Sequence, residues 1–197
     1  MSRASTIVVC AAVAVAVCLI APPAYAQTVL ISNLPGNDGT QSAALSDLRV
    51  KAMGFTMPAG DDYTLDHVTL RLDTVGAGTS PIVELWTNSG GQLGTLVETL
   101  ANPTFTTAGI VEYDFTSSGS TLTAGAGYWI LAYGVAGAPG YDWKANSPAQ
   151  TPTGVATHLG ALFGTSGPPP TGSSSILCSY SVTATMVPVE LQSFTVE

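Results

Sequence analysis

From Val111 to Phe115 the chain alternates without a break: Val111, Tyr113 and Phe115 are apolar, and Glu112 and Asp114 between them are acidic. A period of two puts successive side chains on opposite faces of an extended backbone, so this segment reads as a strand with one dry and one wet face. The same pattern runs from Tyr63 to Asp73, where Tyr63, Leu65, Val68, Leu70 and Leu72 are apolar. The phase slips by one residue after Leu65. That predicts a β-bulge, or a strand that begins only near His67. Two further stretches, Ile82 to Trp86 and Tyr128 to Tyr133, are nearly apolar throughout. Strands buried on both faces read this way, which places these two centrally in a packed pair of sheets. Asn88-Ser89-Gly90-Gly91 then supplies residues that tolerate positive φ, so a tight turn is expected there, with Leu93 to Leu100 as the returning strand.

More strands are expected at Thr28 to Ser32, Val50 to Thr56, Thr104 to Thr106 and Ser179 to Met186. Helix signals are weak, and only Ser42 to Leu48 has the makings of a turn or two. Charged residues are only 9% of the chain, and Gly (21) and Pro (13) break it at short intervals, as befits many short strands joined by turns. The predicted fold is all-β: a two-sheet antiparallel β-sandwich, jelly-roll-like, forming a single domain after a signal peptide. Pro35 to Gly39 reads as a turn-rich loop. Irregular stretches are expected from Gly134 to Gly160 and from Gly164 to Ser175, the second with polyproline character at Pro168-Pro169-Pro170. Loops of that length usually bind something or move, so a site is sought there. No fixed-period repeat is visible.

Residues 1–26 carry the signature of an export signal. Arg3 is followed by an uncharged apolar run from Ile7 to Ile20, then Pro22, Pro23 and Ala24-Tyr25-Ala26, a small-residue cleavage site. The run is shorter than the roughly 20 residues a spanning helix needs. A lipoprotein would need Cys10 or Cys18 as its modified residue, and the Val beside each fits that processing poorly. Cleavage after Ala26 would leave four basic residues (Arg49, Lys51, Arg71, Lys144) against all 13 acidic ones. So acidic a balance argues against nucleic acid or anionic lipid as partner. Of the three cysteines only Cys178 would remain, which rules out an intramolecular disulfide and leaves apolar burial to hold the fold. A buried free thiol is the expected state of Cys178.

Four segments in order carry a resemblance. They are Phe55-Thr56; Tyr63 to Leu72; Val83-Glu84-Leu85-Trp86-Thr87-Asn88-Ser89-Gly90-Gly91-Gln92-Leu93-Gly94-Thr95-Leu96; and Leu122-Thr123-Ala124-Gly125-Ala126-Gly127-Tyr128-Trp129-Ile130-Leu131. Across roughly Thr28 to Cys178 the chain resembles the choice-of-anchor R domain of exported bacterial proteins. The resemblance implies an extracellular or surface-associated β-sandwich, without catalytic residues to carry over. From 187 to 197 the sequence looks like the Pro-Val-Glu-Leu segment found near the carboxy-terminus of many exported bacterial proteins. Neither an apolar helix nor a basic cluster follows it, so a membrane-spanning anchor is not expected. Val187, Val189 and Leu191 alternate, and an edge strand fits them equally well.

Candidate sites are few. Trp86 and Trp129 lie in apolar strand runs and are expected in the core. Trp143 sits among Gly and Pro in Tyr141-Asp142-Trp143-Lys144, and with Tyr141 and Asp142 it forms the candidate ligand-contacting group, of the kind that stacks on a sugar. Asp61, Asp62, Asp66 and Asp73 lack the spacing of a calcium loop and read as solvated carboxylates. His67 and His158 do not suggest zinc. No nucleophile elbow, zinc-protease helix or phosphate loop occurs, and nothing in the sequence favours a carboxylate pair for glycoside hydrolysis, such as Glu84 with Glu112. The expectation is a non-catalytic extracellular or cell-surface module, interacting or structural, with no cofactor and no metal. Its partner would be a glycan or another surface protein; the alternative function is a carbohydrate-binding module using loop aromatics.

Overall fold

The computed structural model describes residues 26–36, 41–76, 78–106 and 109–187. The expected export signal, apart from Ala26, and the segment 188–197 lie outside the described residues. Fourteen strands and no helix make up the described chain. They are β1 (Gln27–Ser32), β2 (Ser42–Leu45), β3 (Val50–Thr56), β4 (Tyr63–Asp73), β5 (Pro81–Ser89), β6 (Gln92–Thr99) and β7 (Val111–Thr116). Then come β8 (Thr121–Leu122), β9 (Gly127–Gly134), β10 (Tyr141–Lys144), β11 (Thr153–Gly154), β12 (Thr157–Gly164), β13 (Gly172–Ser173) and β14 (Tyr180–Met186). Two antiparallel sheets pack face to face as a β-sandwich. One runs β11-β1-β14-β4-β10-β2, with β7 and β8 also on β4; the other runs β13-β12-β3-β9-β5-β6.

β4 organises the first sheet. Along one edge it pairs with β14 from Tyr63 to Leu70 and then with β10 at Leu72 and Asp73. Along the other it pairs with β8 and β7. Its register against β14 steps from Leu65↔Ala184 to His67↔Thr183, leaving Asp66 as the extra residue. The strand therefore begins at Tyr63 and contains a bulge. That bulge is what keeps Tyr63 and Leu65 on the same dry face as Val68, Leu70 and Leu72, all buried. In β7, Tyr113 and Phe115 point inward, with Glu112 and Asp114 exposed, as the alternation requires.

In the second sheet β9 lies between β3 and β5, and both of its faces are covered. Met53, Phe55, Val83, Leu85, Tyr128, Ile130 and Ala132 join the core between the sheets. The opposite face carries a second apolar cluster, Val50, Ala52, Trp129, Leu131 and Leu162, with Trp86, Leu93 and Tyr133 packed against it. Gly54 faces Trp129 across the β3–β9 pair, and a Cβ at residue 54 would stand 2.7 Å from the indole ring. Only glycine leaves room for that indole to lie on the strand. Between β5 and β6, Gly90 (φ 61°) and Gly91 (φ 84°) make the two-residue turn, and Asn88 Oδ1 accepts from the Gly91 amide at 3.1 Å. Positive φ at both central residues is the type I′ geometry that suits the twist of a hairpin.

Three expectations are corrected. Ser42 to Leu48 holds no helical turn: Ser42–Leu45 is an edge strand paired with β10, and its buried Ala43 and Leu45 follow a period of two. Thr104 to Thr106 is not a strand. The Thr106 carbonyl accepts from the Tyr113 hydroxyl at 2.9 Å, and Phe105 lies 5.1 Å from the Tyr113 ring, so side chains rather than a ladder hold it. Gly134 to Gly160 is not one long loop, because β10, β11 and the start of β12 lie within it.

Candidate functional site

Tyr141, Asp142 and Trp143 do not lie on a loop. They belong to β10, held between β2 and β4, and the period of two turns both aromatics inward. Trp143 is fully buried (0% exposed), with its indole Nε1 donating to the Ser179 carbonyl at 2.9 Å. Tyr141 is buried too, and its hydroxyl donates to the Tyr133 carbonyl at 2.9 Å. Burial, with the nearby Tyr133 phenol second, pushes the Tyr141 phenol far above its ordinary range. Stacking of a sugar on these two rings is therefore excluded, a correction of the loop-aromatic expectation. Gly- and Pro-rich flanks disguised a four-residue strand. Of the three residues only Asp142 turns outward, half-buried.

Asp142 does border a cleft. A depression of about 420 Å³ beside the edge strand β2 is lined by Ala44, Ser46, Arg49, Thr74 and the outer edge of β10 at Tyr141 and Asp142. Thr74 enters it with φ 61°, an uncommon backbone region for a β-branched residue. Its amide donates to Asp73 Oδ1 at 2.8 Å, while Asp73 Oδ2 lies 3.9 Å from Lys144 Nζ.

On the other side of Ala44 and Arg49 lies a second, smaller cavity of about 160 Å³. Here β2 of the first sheet faces β3 and β12 of the second, and the segment before β14 crosses the gap. Ser42, Ala43, Lys51, Phe163, Ser174 and Ile176 complete its walls. Lys51 shares the parity of Met53 and Phe55, so its side chain enters the sandwich and is fully buried. Its ammonium donates to Ser174 Oγ at 2.5 Å and to the Ile176 carbonyl at 2.6 Å. Burial lowers the Lys51 pKa, and neighbouring Cys178 offsets this in part. Among the described residues neither Lys51 nor Arg49 makes an ion pair; the salt bridge present joins Lys144 to Asp73.

The remaining candidates are placed elsewhere. Trp129 is buried and Trp86 half-buried, both on the outer face of the second sheet. Glu84 accepts from Trp86 Nε1 at 2.8 Å and from the Tyr133 hydroxyl at 3.0 Å, and Asn88 Oδ1 accepts from Trp129 Nε1 at 3.0 Å. Glu112 lies in the other sheet, on the wet face of β7, so Glu84 and Glu112 do not share a cleft. Asp62 accepts from the Ala124 amide at 2.8 Å and Asp66 from the Thr185 hydroxyl at 2.9 Å, which gives these carboxylates structural partners. Among the described residues no group of three or more His, Cys, Asp and Glu is placed to hold a metal ion. No helix among them is long and apolar enough to cross a membrane. Cys178 is a buried free thiol, pushed up to about 12 by burial. No family model, curated protein or solved structure matches the chain.

No motif singles out Lys51 or its cavity, but the strand pattern carries a signal for the buried lysine. A lysine in phase with Met53 and Phe55 on a strand buried on both faces has nowhere to go but inward.

Proposed function

We propose that the chain is a non-catalytic module of an exported bacterial protein, a β-sandwich that serves by binding or as structure at or beyond the cell surface. The observation that carries this reading is the make-up of the two clefts beside β2. They hold Arg49, Lys51 and hydroxyls among apolar side chains, with no histidine, cysteine or pair of carboxylates among the residues that line them. Such a set donates hydrogen bonds to a bound group, and the one hydroxyl it places beside an amine, Ser174 Oγ at 2.5 Å from Lys51 Nζ, has that amine donating to it and to the Ile176 carbonyl rather than standing free as a base. The export signature of residues 1–26 and the resemblance to the choice-of-anchor R domain support the location. The acidic balance supports a partner other than nucleic acid or anionic lipid, such as a glycan or another surface protein.

Two measurements test this. Expressed from its own leader, the protein recovered outside the cytoplasm should begin at Gln27 by intact mass; a product retaining Met1 would contradict export by cleavage. Incubated with a panel of polysaccharides and peptides, the purified mature chain should release no product, and turnover of any of them would refute the non-catalytic reading.

A further inference from the structure

We propose that the cavity between β2 and the β3–β12 pair is a binding site for a small organic carboxylate with a compact apolar body. The inference extends the binding reading above and rests on it.

Charge comes first. Cleavage of the leader would leave four basic residues against 13 acidic ones, yet two of those four, Arg49 and Lys51, line this one cavity. Chance does not readily gather half of a scarce residue type around a single small void. Lys51 is also fully buried, held by one hydroxyl and one carbonyl and by no carboxylate among the described residues. An ammonium so placed has lost its water without gaining a counter-charge, which is costly unless an anion joins it. Its two acceptors engage two of three N–H groups, leaving one donor for a ligand.

Shape and lining then narrow the ligand. Arg49 is exposed at the mouth, where a guanidinium can take a carboxylate in a two-pronged hydrogen-bonded pair. Ala43, Ala44, Phe163 and Ile176 line the space with apolar surface, which suits a hydrocarbon body rather than a sugar or an inorganic anion. A volume of about 160 Å³ is close to that of a cavity able to admit benzene. Ser42 and Ser174 add hydroxyls that can support a carboxylate oxygen. The charge, the size and the apolar walls therefore all point to one chemistry.

Benzoate is the probe and benzamide its neutral counterpart of matching shape. Calorimetry on the mature chain should show benzoate binding about tenfold or more tighter than benzamide, since only benzoate brings a counter-charge to Lys51 and Arg49. Arg49→Gln, at the exposed mouth, should weaken benzoate about tenfold and benzamide by much less, because only benzoate loses a charge partner. Amide chemical shifts on addition of benzoate should move at Ala43, Lys51, Ser174 and Ile176. Equal affinity for the two probes would reduce the site to an apolar void and overturn the proposal. So would benzoate binding unaffected by Arg49→Gln, shifts mapping elsewhere, or no binding at about 10 mM. None of those results bears on turnover, so the non-catalytic reading stands or falls by its own assay.

Discussion

Trp143 bears on two questions at the residue scale. As a fully buried indole that donates to Ser179, it belongs to the largest class of core truncations. Trp143→Ala should cost about 3–5 kcal/mol, read as a large fall in the chemical-denaturation midpoint. An unchanged midpoint would put the ring back in solvent. Glu84 allows a finer test. Burial, then the Glu84 hydrogen bond and its charge, push the Tyr133 phenol up to about 12. In Glu84→Gln the charge is gone and burial remains, so the Tyr133 phenol should titrate lower than about 12 yet above its ordinary 10.0, by difference ultraviolet titration against the unsubstituted protein. Both residues show where reading the sequence stops. Tyr141 and Trp143 have the parity of inward residues, but four residues among glycines and prolines are too few to establish a phase. The hydrogen bonds of Glu84 depend on which strand lies beside β5, and composition does not supply that.

At the scale of elements, regular alternation and turn chemistry were legible and tertiary pairing was not. The bulge at Asp66, the Gly90-Gly91 turn and the doubly covered β9 all follow from local pattern. The edge strand β2 does not: Ser42 to Leu45 is extended because β10 offers it a ladder, and pairing of that kind overrides weak local preference. The β3–β9 pair is tied by the contact of Gly54 with Trp129. Gly54→Ala would drive a methyl into the indole, at 2.7 Å from a ring carbon, and should destabilise by about 1–3 kcal/mol. The same change at Gly76, where an added Cβ meets nothing within 4 Å, is the control. Near-ultraviolet circular dichroism should register loss of the Trp129 environment in the first variant and not in the second.

At the scale of the whole molecule, the sandwich has no covalent staple among its described residues and hides several weak acids. Burial raises Cys178 to about 12 from 9.0, Tyr133 to about 12 from 10.0, and Tyr141 and Tyr180 further still. A raised folded pKa means that the unfolded chain releases its proton first, so each contribution is complete below the unfolded value and is lost as pH climbs toward the folded one. Lys51, lowered by burial, works the other way, gaining as pH rises toward 10.5, but it is one group against four. Stability should therefore fall from about pH 9 upward, and steeply above pH 10, in melts recorded across that window; a flat profile between pH 9 and 12 would contradict the burial of these groups. β14, the last described strand, lies between β1 and β4 rather than beside the strands made just before it. The first sheet thus cannot close in the order in which the chain is made: β1 must wait, unpaired on that side, until residues some 150 positions later arrive and slide in as a wedge. A polypeptide emerging in sequence would hold this sheet open between β1 and β4 until Tyr180–Met186 had been made, so the sandwich is completed by a late strand rather than layer by layer.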